Sequence, residues 1–191
     1  MSSMDAIDHE RAGSVSEELV GAFRDAMGLL AAGVVMVTTR VDDRPWGLTV
    51  SACCSVSMSP PMLLVSLGSS TASVAAIEAT SRFGVSILGE RLIEAARFGS
   101  ARGAPKFIDE LHDEASDERS ATPAVAGAIS HVDCVVVQVL PVADHTIFLG
   151  RVENVLGARR SEDPLVYHDR RWHRLGFASD LGAAPAPDLW W

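Results

Sequence analysis

The first apolar pattern in the chain has a helical period: Leu19, Phe23, Met27 and Leu30 recur on one stripe. Ser14 and Glu17 stand ahead of it at the spacing of a capping box, and Gly33 is expected to end the helix. From Val34 the period changes. Residues 34–41 form a continuous β-branched run, as a buried strand requires, and Asp42-Asp43-Arg44-Pro45 is turn chemistry that predicts a hairpin. Residues 46–58 alternate small polar and apolar positions and read as one strand, stopped by Ser59-Pro60-Pro61. Residues 62–67 and 82–88 are further strands, with short helices expected over 72–79 and 90–98. The polar stretch 99–119 reads as a surface excursion. Two long strands, 128–140 and 146–156, are joined by residues 141–145, and 165–175 is a small hairpin around Asp169-Arg170.

About seven strands with only three helices, and no βαβ alternation, point to a mainly β fold, a β-barrel with a few helices, rather than a doubly wound sheet. The expected organisation is a disordered tail over 1–13, one barrel domain over 14–177 and a loosely ordered Ala/Pro-rich tail over 178–191. A length of 191 residues suits one domain. The net charge of -9 argues against a nucleic-acid partner, and the lack of a long apolar run argues against a membrane span. The polar start and three cysteines without a disulfide spacing fit a cytoplasmic protein.

Most enzyme classes lack their signatures here. There is no dinucleotide-binding G-x-G-x-x-G, no P-loop and no paired His or Cys at metal-ligand spacing, so no metal is expected. Gly84-Val85-Ser86 begins like a nucleophile elbow but lacks the closing glycine and lies within a strand.

Three features carry positive signals. In Gly47 to Pro61, small residues and hydroxyls let backbone approach a flat ligand closely; tight packing of a barrel strand would give the same composition. Ser69-Ser70-Thr71-Ala72-Ser73 opens a helix after a strand, where hydroxyls and free N–H groups bind phosphate, unless they only cap the helix. Ala143-Asp144-His145 places an imidazole beside a carboxylate in an interstrand turn, where it could contact a ligand, although a lone loop histidine is more often a solvated surface residue.

Taken in order, these pieces resemble the flavin reductase family, the small reductase components of two-component flavin-dependent monooxygenases. The resemblance runs from about Phe23 to Leu175. It rests on Phe23-Arg24-Asp25-Ala26-Met27, Gly33 to Thr39, Gly47 to Pro61, Arg82 to Leu88, Arg97-Phe98-Gly99-Ser100 before Lys106-Phe107, Asp133-Cys134, Asp144-His145 with Gly150-Arg151-Val152, and Pro164-Leu165-Val166-Tyr167. It implies a split β-barrel that binds FMN, with FAD possible, at the interface of a homodimer, and takes hydride from NADH or NADPH. By position, Thr49, Val50, Ser51, Ala52, Cys53 and Ser55 would line the flavin ring. Ser66, Leu67, Ser70 and Ser73 would hold the ribityl and phosphate, with Arg97, Phe98, Ser100 and Lys106 closing over that end. Tyr167 and Asp144 complete the implied cofactor site, and His145 is the implied catalytic residue on the nicotinamide side. The family carries Gly-Asp-His where this chain has Ala143-Asp144-His145, and Ala enters a positive-φ conformation less readily than Gly. The implied product, reduced flavin, would feed a partner monooxygenase. A flavoprotein of the pyridoxamine-phosphate-oxidase type, a non-catalytic flavin-binding barrel and a purely structural dimerising barrel are the competing readings.

Overall fold

The computed structural model describes residues 15–157 and 162–175. Ser14 and the two expected tails lie outside them. Helix α1 spans Glu17–Gly28, and its cap is Ser16, whose hydroxyl accepts from the Leu19 N–H at 3.2 Å. The helix stops five residues before Gly33, which instead pairs with Val166 as part of β1 (Ala32–Gly33).

Seven strands form one antiparallel sheet: β2 (Val35–Val41), β3 (Arg44–Val50), β4 (Cys53–Met58), β5 (Pro61–Gly68), β6 (Arg82–Ile87), β7 (Ser130–Val142) and β8 (His145–Leu156). Their spatial order is β3-β2-β6-β7-β8-β5-β4. Helix α2 (Ala72–Thr80) follows β5, and α3 (Ile93–Ser100) follows β6. A smaller sheet joins β1 to the hairpin of β9 (Leu165–His168) and β10 (Arg171–Arg174). Among the described residues, no helix is long and apolar enough to cross a membrane.

The expected single strand over 46–58 is two strands on opposite edges of the sheet. Only Ser51 and Ala52 lie between β3 and β4. Seven strands laid flat would hold those edges about 29 Å apart, whereas the link reaches roughly 10 Å. The sheet therefore curls until its edges approach, which is the geometry of a split barrel. The Ser66 N–H donates to the Ala52 carbonyl at 3.0 Å and fixes the link against β5.

Two cores result. Val35, Val37, Val65, Leu67, Phe83 and Phe148 fill the space inside the curl, closed by Val74 and Ile77 of α2. Val34, Met36, Leu88, Ala96 and Ile108 form the second, on the outer face beneath α3. Strand β2 supplies both, which is why its sequence is an unbroken apolar run. Ile108 corrects the surface reading of 99–119: it is 1% exposed, and Lys106 and Ser116 are also buried. The apolar stripe of α1 corrects in the other direction, since none of its residues is buried and Phe23 is 63% exposed.

A buried polar network fastens residues 120–125 to β6, β7 and β8. The Asp133 carboxylate accepts from Ser120 Oγ at 2.9 Å, from the Thr122 N–H at 3.0 Å, and from Thr122 Oγ1. Burial alone would push the Asp133 pKa up, but hydrogen bonds from His131, Thr122 and Ser120 outweigh it and hold the carboxyl well below the usual carboxylate range. His131 stands between Ser86 Oγ, 2.8 Å from Nδ1, and Thr122 Oγ1, 3.0 Å from Nε2. Gly84 makes room for this cluster, because a Cβ there would collide with His131, Thr122 and Thr38.

The hairpin turns need left-handed backbone. Asp42 and Asp43 have φ of 50° and 61°, a pattern that a two-residue β-hairpin favours. In the β7–β8 turn Ala143 takes φ of 51°, a conformation that costs an L-residue roughly 1–2 kcal/mol and glycine almost nothing. Ala143→Gly is expected to stabilise the fold by about 1 kcal/mol, partly offset by the extra freedom of glycine in the unfolded chain. Thermal unfolding should show a rise in Tm of about 2 °C or more; an unchanged or lower Tm would mean the turn relaxes around Ala143 without strain.

Candidate functional site

Two adjoining cavities lie along edge strand β3. One, of about 970 Å³, opens between Trp46 and Leu48, the β5–α2 loop at Ser70 to Ser73, the segment 100–107, and the β7–β8 turn at Asp144 and His145. The other, of about 430 Å³, is lined by Thr49, Val50 and Ser51 of β3 and its end, and by Tyr167, Arg170 and Trp172 of the small hairpin. Ser100, at the end of α3, lines both and makes them one elongated groove. Helix α3 reaches β3 this closely because position 99 is glycine: a Cβ there would strike the Thr49 hydroxyl and backbone.

One end of the groove is rich in donors. Strand β5 ends at Gly68, and the Thr71 N–H folds back to the Gly68 carbonyl at 3.0 Å, turning the chain into α2. Thr71 is the N-cap, yet its side chain makes no capping bond, and its Oγ1 is buried without a partner. The first N–H groups of α2 thus face the cavity with no side-chain acceptor, alongside a partial positive helix end. Lys106 points into the same region. It is 8% exposed, donates to the Ala101 carbonyl and makes no ion pair among the described residues; burial pulls its pKa down. A buried ammonium without an ion pair, an orphaned hydroxyl and a helix N-terminus thus line one cavity, groups whose chemistry suits an anion.

Trp46 holds this end together. Its indole Nε1–H donates to the buried Ser73 Oγ at 3.0 Å, and its ring meets Phe107 edge-on with centroids 5.0 Å apart. The Gly47 N–H donates to the Lys106 carbonyl at 3.0 Å, so the covering segment is hydrogen-bonded to the edge strand.

At the other rim, His145 Nδ1 lies 2.7 Å from Asp144 Oδ1. The carboxylate accepts an Nδ1–H, and Nε2 makes no hydrogen bond among the described residues; the same contact lowers the Asp144 pKa. Half of the His145 side chain is exposed. The turn is tied to the donor-rich loop twice, by the Ser69 N–H on the Asp144 carbonyl at 2.9 Å and by Ser69 Oγ against Thr146 Oγ1 at 2.9 Å.

Of the residues expected at the site, Thr49, Val50, Ser51, Ser70, Ser73, Ser100, Lys106, Asp144, His145 and Tyr167 line the groove. The others stand elsewhere. The Leu67 side chain is in the inner core because alternation along β5 turns it inward. Arg97 is an exposed helix residue paired with Glu94 at 2.7 Å, and Phe98 opens onto a separate cavity beneath α3. Ala52, Cys53, Ser55 and Ser66 lie on the link and on β4 and β5, beyond the two cavity walls. Burial, followed by neighbouring Cys54, pushes the Cys53 thiol up to about 11, which removes it as a nucleophile at neutral pH. Sequence reasoning missed Trp46, Thr71, Arg102 and Trp172. Thr71 lies inside the Ser69 to Ser73 run, but only folding shows that its hydroxyl lacks a partner.

Ser86, His131 and Asp133 come together like parts of a hydrolytic triad, with Asp133 Oδ1 3.6 Å from His131 Nε2. Ser86 is 0% exposed and already accepts from the Val125 N–H at 3.1 Å, so no substrate reaches it.

Comparison with known proteins agrees with this geometry. The model of the flavin reductase like domain matches residues 27–176. An actinorhodin polyketide dimerase of Streptomyces coelicolor is 37% identical over 169 residues, 87% of this chain and 91% of that protein. An FMN reductase (NADH) of Methylorubrum extorquens is 35% identical over 181 residues, 94% of this chain and 87% of its own. Among solved structures, the flavin reductase of styrene monooxygenase from Pseudomonas putida S12 superimposes with a TM-score of 0.70 at 28% identity, covering 82% of this chain and 99% of that one. The matched span contains both walls of the groove, and this chain belongs to the flavin reductase family.

Proposed function

We propose that the groove binds FMN or FAD beside NADH or NADPH, and that the protein is an NAD(P)H-dependent flavin reductase whose reduced flavin serves a partner monooxygenase. The observation that supports this reading is the donor set at the α2 end, where the orphaned Thr71 Oγ1 and Lys106, which makes no ion pair among the described residues, line one cavity. The NADH-dependent FMN reductase and the styrene monooxygenase reductase among the relatives support the activity and the partner class. The 14–177 domain carries this activity, and its use of a nicotinamide nucleotide fits a cytoplasmic setting.

The bound cofactors supply the chemistry, a hydride passing from nicotinamide C4 to flavin N5. The chain positions them. Lys106 and the free N–H groups of α2 neutralise the flavin phosphate, with the Ser70 and Thr71 hydroxyls donating to it. The Thr49 to Ser51 backbone, on a sheet edge, offers N–H and C=O groups to the polar rim of the ring, and Tyr167 with Trp172 walls that end against water. His145, oriented by Asp144, presents Nε2 to the nicotinamide side.

Purified protein should oxidise NADH only when flavin is added, and EDTA should leave the rate unchanged. Ser70→Ala with Thr71→Ala should then weaken flavin binding, each lost bond to the phosphate costing about 1.5–3 kcal/mol, with little effect on reduction at saturating flavin. Fluorescence titration measures the first quantity and stopped-flow absorbance the second. An unchanged dissociation constant would place the phosphate elsewhere.

For His145, replacement by Ala should lower kcat/KM for NADH by roughly ten- to a thousandfold while flavin affinity stays nearly constant. A solvated loop histidine would leave both within about twofold.

A homodimer belongs to the same reading. Leu19, Phe23, Leu29 and Leu30 on and after α1 are 60% exposed or more, an apolar stripe that a second copy would cover. Met36 is fully buried in the outer core and takes no part in that stripe. Light scattering at micromolar concentration should give twice the chain mass, and Phe23→Asp should shift it toward the monomer. A wild-type monomer would sink the assembly.

A further inference from the structure

The end of the groove with a volume of about 430 Å³ is walled by uncharged side chains except at one point: among its described lining residues, Arg170 is the single charged one. Its backbone is unusual. Asp169 and Arg170 form the two-residue turn between β9 and β10, with φ of 48° and 60°. Glycine takes the second of these positions at little cost, whereas a long side chain does not. The turn is nevertheless held on both sides. The Asp169 N–H donates to the Gly28 carbonyl at 2.7 Å, and Tyr167 meets Trp172 edge-on across the hairpin with centroids 5.2 Å apart. Strain that surrounding contacts enforce, at a residue lining a cavity, points to a use for the side chain.

The guanidinium has a second neighbour. It donates to the Asp25 carboxylate of α1, and both side chains are more than half exposed. An exposed ion pair of this kind adds little to stability, but the carboxylate offsets part of the cation's field at the cavity. On the flavin reading, the ring lies in this cavity along Thr49 to Ser51. Oxidised flavin has a neutral ring. Hydride transfer breaks the C4–H bond of the dihydronicotinamide and forms N5–H on the flavin, with both electrons of the broken bond. The nicotinamide leaves as a cation, and the flavin takes up the negative charge, spread over N1 and the C2 carbonyl. A fixed cation beside the ring stabilises that product and does little for the neutral reactant.

We propose that Arg170 is the residue that favours reduced over oxidised flavin in this groove, and that Asp25 moderates it so that reduced flavin is held and still released. The inference rests on the flavin reading above. The dissociation constants of oxidised FMN and of FMN reduced under anaerobic conditions are measured on the full chain, and the ratio of the oxidised to the reduced constant is the readout. That ratio should fall about three- to tenfold in Arg170→Gln and rise about threefold in Asp25→Asn, a tenfold change being about 30 mV in the two-electron potential of bound flavin. The opposite signs decide the matter. Both variants break the same ion pair, so a residue that only tethers α1 would move both ratios the same way or leave both unchanged, and either result overturns the proposal. An unchanged ratio in Arg170→Gln with a raised KM for NADH or NADPH also overturns it, and assigns the guanidinium to a phosphate of the nicotinamide nucleotide. If neither form of FMN binds the wild type, the flavin reading itself falls, and the proposal with it.

Discussion

The two-residue link at Ser51–Ala52 is the constraint on which the rest depends. It joins strands that stand at opposite edges of a seven-stranded sheet, so the sheet has to curl until those edges approach or the chain cannot be continuous. Closure fixes three things together. It encloses the inner core around Val65, Phe83 and Phe148. It turns β2 into a strand buried on both faces, and it leaves β3 as an edge whose outward backbone groups are not taken by another strand. Segment 106–108 satisfies part of that edge, through Gly47 to Lys106 and Ile108 to Pro45. Beyond it, Gly99 of α3 packs against the Thr49 backbone, and Thr49, Val50 and Ser51 line the groove.

The elements that hydrophobic period decides were legible in the chain. The β-branched run of β2, the long strands β7 and β8, and the hairpins at Asp42-Asp43 and Asp169-Arg170 fall where their residues predict. The link itself was not legible. Residues 46–58 keep one alternation throughout, and Ser51-Ala52 carries no glycine or proline, so nothing local marks a change of neighbour from β2 to β5. Helical spacing likewise identified the apolar stripe of α1 but not what covers it, because period reports which face is apolar and not which surface it meets. In 99–119 the polar majority hid Ile108, a single side chain that anchors the segment in the outer core.

The candidate site shows the same division. Ser70 and His145 are marked by local patterns, a hydroxyl run at a helix start and a histidine beside an aspartate in a turn, whereas Lys106 came only from the family resemblance; all three line the groove. Leu67, Arg97 and Phe98 came only from the family resemblance; strand alternation puts Leu67 in the inner core, and Arg97 and Phe98 line neither cavity of the groove. Trp46 was missed for a different reason. Its role lies in joining Ser73, Phe107 and the edge strand, and that convergence exists only in the folded sheet.

Ala143 and the Ser69 contacts link strain to function. The turn holds a positive φ at a residue that resists it, and two hydrogen bonds from Ser69 hold the turn against the loop opening α2. Local strain survives in a fold only when surrounding contacts over-determine it. Here those contacts connect the residue proposed to face nicotinamide, His145, to the loop proposed to hold phosphate. The turn and the loop, which line the same cavity, are thereby held to one another. The buried Asp133–Thr122–His131–Ser86 network does similar work, pinning residues 120–125 to the sheet with two hydroxyls, a carboxylate and an imidazole that are buried. Polar groups of catalytic type are thus spent on rigidity in the interior, and the reacting groove relies on position, edge backbone and one unpaired ammonium.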